Sequence, residues 1–385
     1  MTSNPFFFGK TVSGPAFIDR TGEIEQIVSS LKRGQSVILF SPRRYGKTSL
    51  IKKVLHDLNR KGMLTFYIDL YRITTLERFA SSFSQSVISS LQSGADKIFS
   101  LIRSIIPSLK PKLTYSEPGM PSIELEMSLE TLRRQTTLAE MFNLLENYCT
   151  KKKVRGCFVF DEFQEIKSFD AEGLLEREMR SAFQHHQFVS YAFLGSKTHM
   201  MHEMFKDKNR PFYNFGTHIE LDVIPASEWI PFIEAHFRKT GIPLNHDFYK
   251  QLVDLTQGHP YYTQMLCSEI WELSIHKKNL KNADLLLSGL HSVLSKENHA
   301  FVEIWDSLSP PERRLLAAIA ETDSVSIFSS DFLVKNRLGA ASSLQRMVER
   351  LVKRGIIGRY SEGYRCVDPI FKYWISQEDT EDIIV

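Results

Sequence analysis

The sequence predicts an α/β fold, a parallel sheet with helices on both faces, followed by an all-helical segment and then three helices closed by a hairpin. Three observations carry this. Short apolar runs at 37–40, 64–70, 158–160 and 189–194 alternate with stretches whose apolar residues recur at helical spacing, the rhythm of a sheet with helical crossovers. The first run leads into Ser41-Pro42-Arg43-Arg44-Tyr45-Gly46-Lys47-Thr48, and the third ends in Asp161-Glu162. Past residue 226 the strand pattern stops until a basic hairpin near the end. The divisions expected are 1–225 for the α/β core, 226–300 for a helical lid and 301–385 for the terminal domain.

The elements follow in order. Within 15–35, Ile24, Ile27, Val28 and Leu31 make one apolar face of an amphipathic helix, with Gly34 as its C-cap. Val37-Ile38-Leu39-Phe40 is a buried strand, and Leu50, Ile51, Val54, Leu55 and Leu58 make 48–58 a helix. Between them stands a loop of the form G-x-x-x-x-G-K-[ST], with Ser41 in place of the first glycine. Strand, loop and helix in this order aim backbone N–H groups and a helix N-terminus at one point, which suits an anion. Ser41, Pro42, Arg43, Arg44, Tyr45, Gly46, Lys47, Thr48 and Ser49 are the phosphate-binding candidates. In such loops the Lys, here Lys47, reaches the β- and γ-phosphates, and the hydroxyl, here Thr48, ligates Mg²⁺. The alternative is an ordinary turn with a solvated lysine.

Residues 64–70 are the next strand and 75–91 the next helix. An insertion is expected at about 93–136. Pro107, Pro111, Pro118, Gly119 and Pro121 punctuate a loop there. Ile123, Leu125, Met127 and Leu129 then alternate with Glu124, Glu126, Ser128 and Glu130, an acidic edge strand or hairpin arm. A helix at 136–149 leads to Phe158-Val159-Phe160-Asp161-Glu162, an apolar strand ending in two acids. In that Walker B form Asp161 holds Mg²⁺ and Glu162 acts as general base toward water. A helix N-terminus rich in acids is the alternative, but it leaves the preceding apolar strand unexplained. A helix at 171–187, a buried strand at 189–194 ending in Gly195-Ser196-Lys197, and a short strand at 219–221 complete the core. In open α/β sheets ligands bind at the carboxyl ends of the strands, where the loop, Asp161 and Ser196 all fall.

Residues 226–297 read as helical, with Gly258-His259-Pro260 at a helix–helix turn. Ser309-Pro310-Pro311-Glu312 is a capping box with proline at the first helical position. A helix through Leu315, Leu316 and Ile319 follows, then helices at 330–337 and 341–354 and a hairpin at 356–367, which is the winged-helix pattern. Leu344, Met347, Val348, Leu351 and Val352 share one face of the third helix, and Arg346, Arg350, Lys353 and Arg354 lie on the other, with Arg359 and Arg365 on the wing. This helix would enter a DNA major groove. A basic face is also commonly just a solvated one.

Composition sets limits. Hydrophobic content of 42% and charged content of 24% belong to a globular protein, and a net charge of +3 demands no nucleic-acid partner. Cys149, Cys157, Cys267 and Cys366 form no C-x-x-C, which disfavours a zinc site or disulfide framework and suits the cytoplasm. Phe6-Phe7-Phe8 is too short for a signal peptide, and no run is long enough to span a membrane.

Together these segments resemble the archaeal-type ATPase family of P-loop proteins, within the STAND/AAA+-like ATPases, over about residues 15–375. Phe17-Ile18-Asp19-Arg20-Thr21-Gly22-Glu23 is similar to the family's entry box near the nucleotide base, Pro42 to Leu50 to its P-loop including the paired arginines, and Asp161-Glu162 to its Walker B. Leu194-Gly195-Ser196 resembles the sensor-1 strand end, where Ser196 reads the γ-phosphate. Gly258-His259-Pro260 resembles the G-x-P turn that contacts nucleotide phosphates, and Asp368-Pro369-Ile370-Phe371 with Trp374 resembles the family's ending. The resemblance implies binding of ATP or ADP with Mg²⁺, and catalysis by Glu162, Lys47, Ser196 and an arginine finger. Arg180 is the first candidate for the finger and Arg210 the second. An ion pair between Arg180 and Glu176 is the competing reading. His185 and His186 read as helix-end residues, and His259 as support for its turn.

Three functions remain in view. A nucleotide-driven switch would hydrolyse ATP slowly and pass its state to a protein partner or to self-assembly. An initiator-like ATP-dependent DNA-binding protein would use the winged helix. A module that holds nucleotide without cleaving it fits poorly with Glu162.

Overall fold

The computed structural model describes residues 3–18, 20–90, 110–117, 120–126, 135–276, 281–322, 327–360 and 363–381. The chain divides into two compact units. One comprises Arg20–Arg43 and Lys47–Leu221, and the other Met1–Asp19, Arg44–Gly46 and Asp222–Val385.

The first unit is built on a five-stranded parallel sheet in the order β2-β5-β6-β1-β7. Its strands are β1 (Val37–Phe40), β2 (Leu64–Asp69), β5 (Gly156–Asp161), β6 (Val189–Gly195) and β7 (Thr217–Glu220). The helices are α1 (Thr21–Lys32), α2 (Lys47–Arg60), α3 (Leu76–Ser90), α4 (Gln135–Lys152), α5 (Ile166–Phe169), α6 (Leu174–Phe183) and α7 (Thr198–Lys206). Every residue of β1, β5 and β6 is buried, as a central parallel strand requires. Gly34 follows α1 with φ +80°, as its C-cap role demands.

Strand alternation sets Phe158 and Phe160 on one face of β5, and Val159 and Asp161 on the other. The phenylalanine face packs on aromatic rings from α3 and from neighbouring strands. Ring centroids lie 4.6 Å apart for Phe83–Phe158, 4.7 Å for Phe158–Phe160 and 5.5 Å for Phe160–Phe193. This packing fixes the height of β5 and so the position of the acids at its end.

In the expected insertion, β3 (Lys110–Glu117) and β4 (Met120–Glu126) form an antiparallel hairpin with Leu113 opposite Ile123. The segment around Pro111 is therefore strand rather than loop. Both strands of a two-stranded hairpin have an open edge, so Pro111 and Pro121 cost no ladder partner there. Met127 and Leu129, read as a continuation of the strand, lie outside the described residues, as does the Ser361-Glu362 turn.

The second unit holds α8 (Ala226–Lys239), α9 (His246–Thr256), α10 (Pro260–His276), α11 (Asn282–Asp306), α12 (Pro310–Ala320), α13 (Ser330–Lys335), α14 (Ala341–Lys353), β8 (Ile357–Tyr360), β9 (Gly363–Cys366) and α15 (Pro369–Glu381). The apolar start of the chain belongs to this core: Phe6 is buried with its ring 4.9 Å from Phe237. The capping box forms as read, with Glu312 Oε2 accepting from Ser309 N–H at 2.9 Å and from its hydroxyl at 2.7 Å. Leu344, Met347, Val348 and Leu351 are buried on α14, which matches its apolar face. No helix among the described residues is long and apolar enough to cross a membrane.

The turn between α9 and α10 is tightly packed. Gly258 has φ +67°, and a Cβ placed there would lie 2.2 Å from the Ile224 carbonyl oxygen. The Gly258 carbonyl accepts from Ile224 N–H at 3.0 Å and from Trp229 Nε1 at 2.9 Å. Replacing Gly258 with Ala adds both left-handed strain and a backbone clash, and should cost about 2–4 kcal/mol of stability. Urea titration of the variant measures this, and a midpoint equal to wild type would show that the turn relaxes freely.

Candidate functional site

The residues singled out at the carboxyl ends of β1, β5 and β6 meet in the first unit. Lys47 opens α2, buried, and its Nζ donates to the Ser41 and Pro42 carbonyls at 2.8 Å each and to Ser41 Oγ at 3.3 Å. Burial pushes its pKa down to about 8, against the upward pull of Glu162 and Asp161, with Arg43 adding to the fall. These direct bonds end on neutral oxygens, and Glu162 and Asp161 act on the cation through space.

Asp161 is the centre of the second half. Its Oδ2 accepts from Thr48 Oγ1 at 2.9 Å and from the Tyr67 hydroxyl at 2.7 Å, and its Oδ1 accepts from Glu162 N–H at 2.9 Å. Burial raises its pKa, while the Tyr67 and Thr48 bonds oppose that rise. A carboxylate and a hydroxyl 2.9 Å apart at a strand end are hard oxygen donors of the kind magnesium takes. Among the described residues no cluster of three His, Cys, Asp or Glu side chains forms a metal cage. Magnesium at phosphate sites needs none, since substrate phosphates and water complete its shell. The donors present therefore fit that ion.

Glu162 has φ +52°, a left-handed turn that breaks the strand just after Asp161. Its Oε2 accepts from Ser196 Oγ at 2.6 Å and from Gln164 Nε2 at 2.5 Å. Both bonds end on one oxygen, which fixes the carboxylate plane and leaves Oε1 outside this pair of contacts. Gly195 precedes Ser196 because a Cβ there would lie 2.6 Å from Gln164 Oε1 and 2.3 Å from Met201 Sδ.

Other predicted residues have different partners. Arg20, buried, pairs with Glu23 at 3.0 Å at the start of α1. Arg43 is exposed and Ser49 half-buried. Arg180 does not pair with Glu176. Its Nε donates to the Pro211 carbonyl at 2.9 Å and its guanidinium lies 4.8 Å from the Phe215 ring centroid. Glu176, buried, pairs instead with Arg210 at 3.1 Å. Arg180 is thus engaged with the segment after α7, and Arg210, which lies in that segment, with Glu176 of α6. His186 bonds Tyr191 and Asn143, at 2.6 and 2.8 Å, as a structural residue.

Arg44, Tyr45 and Gly46 belong to the second unit with Gly258, His259 and Pro260. The His259 ring stands edge-on to Tyr45 at 4.8 Å. Burial and Arg44 push its pKa down to about 3, so the ring is neutral and its Nδ1 accepts from Tyr262 N–H. In the winged helix, Arg350 Nε donates to Glu312 Oε1 at 2.9 Å, Arg354 bonds Ser307, and Arg365 lies 4.1 Å over the Tyr360 ring. Arg346, Lys353 and Arg359 are exposed.

Tyr67 and Gln164 escaped the sequence reading. Tyr67 pairs with Val159 in the β2–β5 register, two residues before Asp69 meets Asp161, so alternation puts its side chain on the Asp161 face. The signal existed only once the register was known. Gln164 follows Glu162 by two residues, and only the left-handed turn at Glu162 folds it back.

A pH test follows from Lys47. A phosphate anion on this loop would pair with the charged form of the amine, whose pKa burial pushes down to about 8. ATP affinity should be flat below pH 8 and fall above it, approaching about tenfold per pH unit. Calorimetric titration from pH 7 to 9.5 checks this, and a flat profile would show that the amine's charge is not used.

The comparisons with known proteins agree with this geometry. The family model described as "ATPase domain predominantly from Archaea" matches residues 17–266, and that described as "Probable winged helix domain" matches residues 299–377. The Walker-type ATPase of Pyrococcus abyssi is similar in structure, at TM-score 0.65 and 17% identity over 94% of this chain and 96% of that one. The Aeropyrum pernix ORC2 protein, solved as ADPNP–ADP complexes, aligns at TM-score 0.52 and 14% identity over 94% and 95% of the two chains. An uncharacterized WD repeat-containing protein of Synechocystis is 22% identical over 98% of this chain, which spans only 31% of that relative's length. The matched core, the loop ending in Lys47-Thr48 and the Asp161-Glu162 strand end converge on one conclusion: the chain belongs to the family of P-loop ATPase domains found predominantly in Archaea.

Proposed function

We propose that this protein binds ATP with Mg²⁺ and hydrolyses it slowly, acting as a nucleotide-dependent switch of the STAND type. The observation that carries the reading is the carboxylate of Glu162, oriented through one oxygen by Ser196 and Gln164 beside the Thr48–Asp161 pair. Lys47 would take the β- and γ-phosphates, leaving its loop carbonyls for the ligand. Thr48 and Asp161 would hold the magnesium ion, which offsets phosphate charge. Glu162 Oε1 would accept the proton of the attacking water, and Ser196 would sense the γ-phosphate. ADP lacks that phosphate, so a site that contacts it binds the two nucleotides differently, and only such a difference can shift a conformational equilibrium. Four separate buried thiols with no disulfide suit a reducing compartment, so we read the protein as cytoplasmic.

The test is Glu162→Gln. Phosphate release should fall by about 100-fold or more, while the ATP dissociation constant stays within about threefold. The ATP-loaded variant should also differ in scattering radius from wild type loaded with ADP. Equal phosphate release from both proteins removes Glu162 from the mechanism, and equal radii remove the switch.

The winged-helix domain supports a second reading, ATP-dependent DNA binding. Arg350 and Arg354, though exposed, bond Glu312 and Ser307, while Arg346, Lys353 and Arg359 are further exposed basic residues of this domain. Arg346→Ala with Lys353→Ala keeps the Glu312 pair intact. If α14 grips duplex DNA, this double variant should flatten the slope of log K against log salt by about 1.8, two contacts at about 0.9 each. An unchanged slope and affinity would end the DNA reading.

A further inference from the structure

We propose that Arg44 is a positioning residue of the phosphate-binding loop, holding its left-handed turn through Glu297 and Tyr262 instead of reaching for phosphate. The inference rests on the ATP reading above and adds to it how the loop keeps its shape.

Arg44 has φ +68°, a left-handed conformation uncommon for a non-glycine residue, and its surroundings are placed to hold it there. Its surroundings do so from several directions. Nη1 donates to Glu297 Oε2 at 2.8 Å and to the Tyr262 hydroxyl at 3.0 Å. The guanidinium lies over the Tyr261 ring at 4.3 Å from its centroid. Tyr261 in turn donates to Glu297 Oε1 at 3.1 Å, so both carboxylate oxygens are engaged. The Tyr262 hydroxyl donates to Asp368, whose other oxygen accepts from Ile370 and Phe371 N–H at the start of α15. The partners are therefore themselves fixed, and a planar cation between a carboxylate and an aromatic face is the arrangement arginine serves better than lysine.

The consequence for the loop is covalent. A left-handed residue inside a loop turns successive N–H groups toward one side, the geometry that cradles anions. Gly46 follows at φ +87° and takes that angle at no steric cost, whereas Arg44 takes its own at a cost. Releasing Arg44 from Glu297 lets its φ return to negative values. That displaces the N–H groups up to Lys47, three residues along. Glu297 and Tyr262 thus act on nucleotide through Arg44 without touching it.

The experiment uses the full-length chain and compares wild type, Arg44→Ala, Arg44→Lys, Glu297→Gln and the Arg44→Ala/Glu297→Gln double variant. ATP binding, KM, kcat and Tm are read for each. Arg44→Ala and Glu297→Gln should each raise KM and Kd for ATP by about tenfold, with kcat within about threefold. The double variant should be no weaker than Arg44→Ala alone. Arg44→Lys, which keeps the ion pair but not the planar contact, should recover part of the loss. Falls in Tm with Kd and KM unchanged would mean a purely structural role, and additive losses would mean separate ones. Either overturns the proposal. Wild type that binds ATP beside variants that bind equally well refutes Arg44 alone. Wild type that fails to bind ATP overturns the nucleotide reading, and this inference with it.

Discussion

The buried carboxylate of Asp161 is the constraint on which the α/β unit depends. A carboxylate at that depth is tolerable only with donors around it, and it has three: the Thr48 hydroxyl, the Tyr67 hydroxyl and the Glu162 N–H. These come from the start of α2, from β2 and from the turn after β5. Satisfying one charge therefore sets the relative positions of three elements. The aromatic packing behind β5 does the same from the other face, through Phe83, Phe158 and Phe193. The result is a rigid floor on which Glu162 can be aimed by Ser196 and Gln164.

The phosphate-binding loop is held differently. Lys47, at the head of α2, is buried and folded onto the loop's own carbonyls. Arg44 and Tyr45 are instead packed among aromatic and acidic residues of the C-terminal unit, against Tyr261, Tyr262, Glu297 and His259. Lys47 and Arg44 thus have different partners, backbone carbonyls and a hydroxyl for the first, aromatic and acidic side chains for the second. This explains why Ser41 can stand where a glycine is usual. The left-handed positions of the loop fall at Arg44 and Gly46, and Ser41 is needed for its carbonyl and hydroxyl toward Lys47.

Much of this was legible in local pattern. The buried strands, the capping box at Ser309 and Glu312, the Gly34 cap and the apolar face of α14 are set by short-range spacing, and each formed as read. That Lys47, Thr48, Asp161, Glu162 and Ser196 would come together was legible because strand ends in a parallel sheet converge. Less was legible where partner choice is long-range. Arg180 and Glu176 look like an ion pair at helical spacing, yet each found a better partner in the segment after α7. Arg350 and Arg354 look like a solvated basic face and are exposed, but they also bond Glu312 and Ser307. Pro111 reads as loop and stands in a strand, because a hairpin edge forgives a missing donor.

By itself, then, the sequence determined the order of elements, the kind of chemistry and the side chains that could perform it. Periodicity and motif spacing are properties of neighbouring residues, and those need no fold to be read. Tertiary structure decided which hydroxyl completes the Asp161 shell, which oxygen of Glu162 is held, and where the loop arginine is anchored. These choices depend on β-strand register and on burial, which bring together residues as distant as Tyr67 and Asp161, or Arg44 and Glu297. No local pattern encodes such pairs, since each is selected by the energy of leaving a buried charge or hydroxyl unsatisfied.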